Sequence, residues 1–317
     1  MSKILVTGAG GFLGGAVVRA LLERGDAVVG LDCGPNAAVM KTMSMSNSGF
    51  DAADADISDA EAVDSVFAEH RPRAVIHCAA VVGVLNSLAS PARLFRVNVE
   101  GSVNVLEAMA RHACTRMIHI SSEEIYGAFR APRIDETHHQ APLYAYGVSK
   151  ATVEHLCRSY RTTHGLDCIN IRTSWVYGPG FPRDRVPLNM IRAAAEGRVL
   201  HVTSGADERI DHTYLDDAVA GTLGALDCAE HAFDAYHIAS DSAPSLAEIA
   251  AVVRDLVPGA KITVGFGPYK HSDEIAMPAK GALNCSRAHV AFGYQPKFDI
   301  RAGLAATLEA HRAQLAN

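Results

Sequence analysis

Thr7-Gly8-Ala9-Gly10-Gly11-Phe12-Leu13-Gly14 is the stretch on which the fold turns. It follows the short apolar run Ile4–Thr7 and leads into an amphipathic segment, so it reads as a strand, a tight turn and a helix start. Gly8 permits a sharp exit from the strand. Gly11 lets the backbone approach a pyrophosphate, and Gly14 lets helix and sheet pack closely. The helix N-terminus adds free N–H groups and a partial positive charge that suit an anion. Gly8, Gly11, Phe12, Leu13 and Gly14 are therefore candidate dinucleotide contacts.

Working outward, further strands are expected at Ala27–Leu31, Ala74–His77, Met117–Ser121 and Cys168–Arg172, with helices starting near Gly11, Asp59, Pro91 and Tyr144. Repeated strand-then-helix order implies an α/β fold with a parallel sheet covered on both faces. Right-handed crossovers make it doubly wound. After Tyr177-Gly178-Pro179-Gly180 the pattern loosens, with helices expected at 187–196, 215–226, 245–256 and 300–313. The reading is a dinucleotide domain over 1–175, carrying the catalytic residues. A smaller substrate-binding lobe spans 176–317 and returns segments to the main sheet.

Asp32 falls at the end of the second strand, where a carboxylate can accept hydrogen bonds from both adenosine-ribose hydroxyls and repel a 2′-phosphate. Cys33-Gly34-Pro35-Asn36 brings no base, so NAD is favoured over NADP. Asp56-Ile57 either brackets the adenine or, through Asp56, caps a helix. Tyr146 and Lys150 stand at i and i+4, on one helix face. Tyr146 is read as the general acid/base. Its ordinary value of about 10 is expected to be lowered by the Lys150 ammonium, helped by the nicotinamide charge, and Lys150 also holds a ribose hydroxyl. Tyr144 lies off that face. Ser121-Ser122 ends a strand and offers a hydroxyl to polarise a C–O bond.

Composition narrows the classes. Apolar residues make up 49% of 317 and charged residues 20%, a globular balance, and the net charge of −6 gives no basic surplus for nucleic acid. No apolar run reaches the ~18 residues of a membrane span. Met1-Ser2-Lys3 runs straight into a strand pattern, so no signal peptide is expected. Seven scattered cysteines without a C-x-x-C pair read as reduced thiols of a cytoplasmic protein. His138-His139 sits in a polar loop, and no metal-ligand spacing occurs, so no metal is expected.

The ordered series Thr7–Gly14, Asp32, Asp56-Ile57, 77–80, 97–101, Ser121–Gly127, Tyr146–Lys150, Arg172–Gly180, Arg209–Asp217 and 294–298 resembles the NAD-dependent epimerase/dehydratase family of extended short-chain dehydrogenases/reductases. The resemblance implies a Rossmann-type fold in which Ala79, Ala80 and Val81 line the cofactor channel and Asn98 steadies the backbone beside the nicotinamide. It also implies that Ser122, Tyr146 and Lys150 are catalytic and that Arg209 binds a substrate phosphate. The bland alternative for Arg209 is an ion pair with Asp211 or Asp216. Many nucleotide-sugar members carry Asn where this chain has Trp175, which either stacks on a ring or packs in the core. Glu123-Glu124 matches an acidic pair of the dehydratases; the alternative is a solvated turn.

The expected activity is oxidation of a sugar or sugar-nucleotide hydroxyl through a keto intermediate, of epimerase/dehydratase type. Net dehydrogenation of a sugar acid is the alternative, and a non-catalytic dinucleotide sensor is a third reading. Arg183 and Arg185 are expected to bind a carboxylate or phosphate, or else to form a solvated loop. Family members commonly pair helices across a two-fold axis. A homodimer is therefore expected through 91–112 and 144–164, using Leu94, Val97, Val105, Leu156 and Tyr160.

Overall fold

Ile4, Leu5, Val6 and Thr7 are all fully buried, which requires a strand covered on both faces. The computed structural model describes residues 3–272 and 275–315, so Met1 and Ser2 of the N-terminal reading lie outside the described residues. Ile4–Thr7 is central in a seven-stranded sheet. Its order is Ala235–Ile238, Asp167–Thr173, Arg116–Ile120, Ala74–His77, Ile4–Thr7, Val28–Asp32, Phe50–Asp54. Every pairing in it is parallel.

Alternation along the strands sorts the core into two layers. Ile4, Val6, Ile76, Ile118 and Ile169 face one side, under helices Phe12–Glu23 and Leu215–Asp227. Leu5, Val29, Val75, Met117 and Cys168 face the other, under Ala60–His70, Gly101–Arg111 and Ala145–His164. A third cluster around Trp175, Met190, Ile249 and Leu304 forms a lobe beside the sheet. The sheet grows in opposite directions from Ile4–Thr7, and the crevice beyond the carboxyl ends of Ile4–Thr7 and Ala74–His77 opens at that switch point. Among the described residues no helix is long and apolar enough to cross a membrane.

Both edge strands escaped the sequence reading. Phe50–Asp54 has one fully buried apolar residue in a largely polar run, and Ala235–Ile238 carries a buried histidine, so neither shows a strand signature. Helix Pro35–Ser46 was also unread, because its exposed face is apolar enough to blur any period.

One polar knot lies within the core. Arg172, 2% exposed, donates through Nε and Nη2 to the two carboxylate oxygens of fully buried Glu154, at 3.0 and 2.7 Å. Its Nη1 donates to Tyr126 Oη and the Glu136 carbonyl, and Ser121 Oγ donates to Glu154 Oε1 at 2.6 Å. Removing Arg172 leaves the buried Glu154 carboxylate with one longer ionic contact, to Arg158 at 3.8 Å. Arg172→Met is therefore expected to lower unfolding free energy by roughly 3–5 kcal/mol in urea titrations. A loss below about 1 kcal/mol would show that the pair does not hold the core.

Candidate active site

The turn after Ile4–Thr7 has no room for side chains. Gly8 has φ +68°, and a Cβ there would sit 2.7 Å from the Ala79 nitrogen; at Gly14 it would sit 2.1 Å from the Gly8 oxygen. A Cβ on Gly11 would meet only the Gly8 oxygen, at 3.1 Å. Gly11 is the N-cap of Phe12–Glu23, and no side chain caps the free N–H groups there. These groups border a cleft of about 770 Å³ lined by Gly8, Gly11, Phe12, Leu13 and Gly14. A phosphate fits such a helix start without any change in the residues present.

Asp32, Asp56, Ile57, Ala79, Ala80 and Val81 line the same cleft. Asp32 Oδ2 accepts from the Gly10 N–H at 3.0 Å and from Asn36 at 3.2 Å, and Oδ1 accepts from the Cys33 N–H. Asp56 does not cap the helix. That role falls to Asp59, which accepts from the N–H groups of Glu61 and Ala62, while Asp56 accepts from Ser58. Asn98 stands behind the wall rather than in it. Its amide brackets Val81, accepting from the N–H at 2.7 Å and donating to the carbonyl at 3.1 Å, from a π-helical turn at Arg96–Glu100. Arg93, remote in sequence, reaches this end of the cleft, so the local search for a base around Cys33 missed it.

Tyr146, Lys150 and Ser122 all line the next section. Burial pushes the Tyr146 phenol up to about 12 and Glu124 adds to this, while the nearby Ser122 hydroxyl pulls the other way with Arg183 and Arg185. Lys150 is not among the groups that chiefly pull it down. The Lys150 ammonium is itself enclosed, donates to the Ile120 carbonyl at 2.6 Å and is held down at about 8 by burial. The competing Tyr144 donates its hydroxyl to the Ala276 carbonyl.

Glu123 and Glu124 do not face solvent. Both are buried and line the cleft, in a short 3-10 turn after Ser122. Glu123 Oε2 accepts from Ser174 Oγ at 3.0 Å. Lys280 was not singled out in sequence. Its fully enclosed Nζ lies 3.3 Å from Glu124 Oε1 and 3.9 Å from Glu123 Oε1, ion-paired without a hydrogen bond. Burial pushes the Glu123 carboxyl up to about 7. Lys280 and Ser174 oppose this; Glu124 and Asp211 reinforce it.

The far wall is Trp175, Phe181–Arg185, Tyr269 and His271. Trp175 packs in the lobe core and also carries the Arg185 guanidinium 4.3 Å above its ring. Arg183 donates to the Val82 carbonyl at 2.9 Å. Arg209 is not in the cleft. It pairs on the surface with Glu248 at 3.2 Å, not with Asp211 or Asp216. Its neighbour Ile210 is fully buried, so the alternation of this extended segment turns position 209 outward. Among the described residues no group of three or more His, Cys, Asp or Glu is placed to hold a metal ion.

The cleft is thus shaped for a dinucleotide at one end and a small polar molecule at the other. A family model for the NAD dependent epimerase/dehydratase family matches residues 4–239. dTDP-glucose 4,6-dehydratase 1 of Escherichia coli (strain K12) is 30% identical over 97% of this chain and 92% of its own. UDP-glucose 4-epimerase of Thermotoga maritima, solved with UDP-glucose, has a TM-score of 0.86 at 25% identity, covering 99% of both chains. UDP-glucuronic acid 4-epimerase of Bacillus cereus, solved with UDP-glucuronic acid and NAD, has a TM-score of 0.85 at 26% identity, covering 98% of this chain and 99% of its own. This chain belongs to the NAD dependent epimerase/dehydratase family.

Two predictions arise here. Asp32→Ser should weaken NAD and narrow its margin over NADP, measured by calorimetry with each cofactor; equal affinity of the unaltered protein for both would refute the role of Asp32. The second concerns Glu123. A carboxyl held above its ordinary range stabilises the fold at low pH and loses that contribution as pH rises through about 7. Glu123→Gln does not titrate, and Asp211 is common to both proteins. Between about pH 5 and pH 8 stability should therefore shift in favour of the variant by about 1–3 kcal/mol. Urea midpoints that keep a constant gap across this window would contradict it.

Proposed function

We propose that this chain is an NAD-dependent enzyme that oxidises a sugar hydroxyl to a ketone and acts on that ketone before release. The observation that carries this reading is the convergence of Ser122, Tyr146 and, one helical turn on, Lys150 in the cleft that the glycine turn opens. When bound, NAD accepts a hydride from the carbinol carbon and, in a closed cycle, gives it back. Tyr146 takes the hydroxyl proton, and the Ser122 hydroxyl orients the same oxygen. Proton acceptance requires Tyr146 to fall from its raised value, and Ser122, Arg183 and Arg185 are the groups of this chain that pull it down. Lys150, enclosed and fixed to Ile120, holds the nicotinamide-side ribose. Gly8–Gly14 takes the pyrophosphate, Asp32 the adenosine ribose, and Asp56 with Ile57 the adenine.

Glu123 and Glu124 distinguish the fates of the ketone. The Glu123 carboxyl, which burial helps to keep its proton near neutrality, can protonate a departing hydroxyl, and Glu124 lines the cleft beside it. The seven free cysteines, five of them buried, fit a reducing cytoplasm.

We also infer a homodimer through the helices first expected. Leu94 and Val105 are fully buried, whereas Val97, Leu156 and Tyr160 are only partly buried against the core. Ala92, Phe95, Val99 and Val103 border a shallow outward groove on the same helices. Light scattering should report two chains per particle, and Phe95→Glu should shift it towards one; a monomeric parent at micromolar concentration refutes the inference.

Tyr146→Phe removes one oxygen and should spare folding and NAD binding while lowering turnover about 100- to 10,000-fold. Near-full turnover by this variant on any accepted substrate would refute the mechanism. Accumulating NADH marks a net dehydrogenase; a changed sugar without NADH marks a closed cycle.

A further inference from the structure

Arg185 is the least explained cation of the cleft. Its guanidinium lies 4.3 Å from the Trp175 ring centre and 5.0 Å from that of Phe181, so two aromatic faces fix its plane. Yet it has no ion pair and donates no side-chain hydrogen bond within the described residues. Other enclosed arginines have protein partners: Arg172, Arg287 and Arg116 are ion-paired with Glu154, Glu136 and Asp167, and Arg161 and Arg192 donate to the Cys168 and Phe181 carbonyls. Burial and the nearby charge of Arg183 both disfavour the Arg185 cation. A half-buried guanidinium has five donors to satisfy and is costly to leave without an anion. Among the described residues no carboxylate pairs with it, and it lines the cleft, where an anion can reach it. Arg183 flanks it, with one N–H on Val82 and others left over.

The position of this cation limits the ligand. Arg183 and Arg185 line the same cleft as Ser122 and Tyr146, so a compact ligand bound to the arginines can present a hydroxyl to the Ser122–Tyr146 side. No residue between 186 and 268 lines the cleft, and Trp175, Arg185, Tyr269 and His271 close it on the lobe side. Arg209, the lobe arginine expected to meet a phosphate, is engaged by Glu248 outside. Glu123 and Glu124 share this end of the cleft and oppose a dianionic phosphate more strongly than a singly charged carboxylate.

We propose that the cleft takes a compact, unactivated sugar acid. Its carboxylate lies on Arg185 with help from Arg183, and one of its hydroxyls lies on Ser122 and Tyr146. Carboxylate and guanidinium are both planar and pair through two parallel hydrogen bonds, which a guanidinium braced flat on Trp175 is ready to make. This inference rests on the reading of Tyr146 as the proton acceptor.

The test uses the full chain loaded with NAD. Uronic and aldonic acids, the matching neutral sugars, hexose phosphates, and UDP- and dTDP-sugars are compared by calorimetry and by turnover, followed as NADH and by NMR of the sugar. The acids are expected to bind at least about tenfold more tightly than every other group, the scale of one charge-assisted hydrogen bond. Arg185→Met should cut the preference for acid over neutral sugar roughly 30-fold or more, with Arg185→Lys keeping part of it. Arg185→Lys alone decides if Arg185→Met does not fold. Tighter binding of a nucleotide sugar or a sugar phosphate, binding of no acid in the panel, or an unchanged preference in the folded variants would each overturn the proposal. If a nucleotide sugar is turned over and Tyr146→Phe abolishes that turnover, the substrate assignment fails while the proton-transfer reading stands. If Tyr146→Phe turns over an acid at the parental rate, the reverse holds.

Discussion

The buried pair of Arg172 and Glu154 is the constraint on which the rest of the site depends. Glu154 lies two turns beyond Tyr146 on the same helix, and Arg172 lies on the strand beneath it. Ser121, the residue before Ser122, donates to the same carboxylate. Helix, strand and strand end are thus fastened at one point. Apolar packing alone tolerates small slides of a helix over a sheet, whereas a two-pronged ion pair out of water does not. The meeting of Ser122 and Tyr146 in one cleft needs that registration, since the two residues come from different elements.

Most of the cofactor half was legible because its demands are local. A turn without room for Cβ atoms must be written in glycine, a ribose-binding acid must end a strand, and a Tyr–Lys pair on one helix face must be four apart. The substrate half has no such grammar. Tyr269 and His271 reach the cleft, and Lys280 reaches the acidic pair behind it, from a segment with no clear period, and Arg93 arrives from a helix more than fifty residues beyond Asp32. Arg209 was misjudged because a motif fixes position along the chain but not which way an extended residue points. What sets the Tyr146 shift was not legible for a related reason. Spacing showed that Lys150 was near, but not that the Ile120 carbonyl holds its ammonium or that both groups are enclosed.

The two ends of the cleft treat charge differently. At the dinucleotide end, helix dipole and backbone N–H groups supply positive potential without a side chain, so no counter-ion is needed. At the substrate end, discrete charges of both signs crowd together: Glu123, Glu124 and Lys280 on one side, Arg183 and Arg185 on the other. Enclosure of Glu123 favours its neutral form, which limits the repulsion within the acidic pair and leaves the two carboxyl groups unequal. Two chemically identical side chains acquire different roles through their surroundings.

The tether between Asp32 and Gly10 bears on how this family could change its coenzyme. The carboxylate that would discriminate against a 2′-phosphate also accepts from the Gly10 N–H and from Asn36, so one side chain serves as selector and as a brace for the phosphate loop. An evolutionary path from one coenzyme to the other cannot run through this position alone. The intermediate would lose its selector and slacken its loop together, binding either coenzyme poorly. A viable route first needs a substitution elsewhere that steadies Gly10, and Asn36, already beside it, is the nearest place for that step to occur.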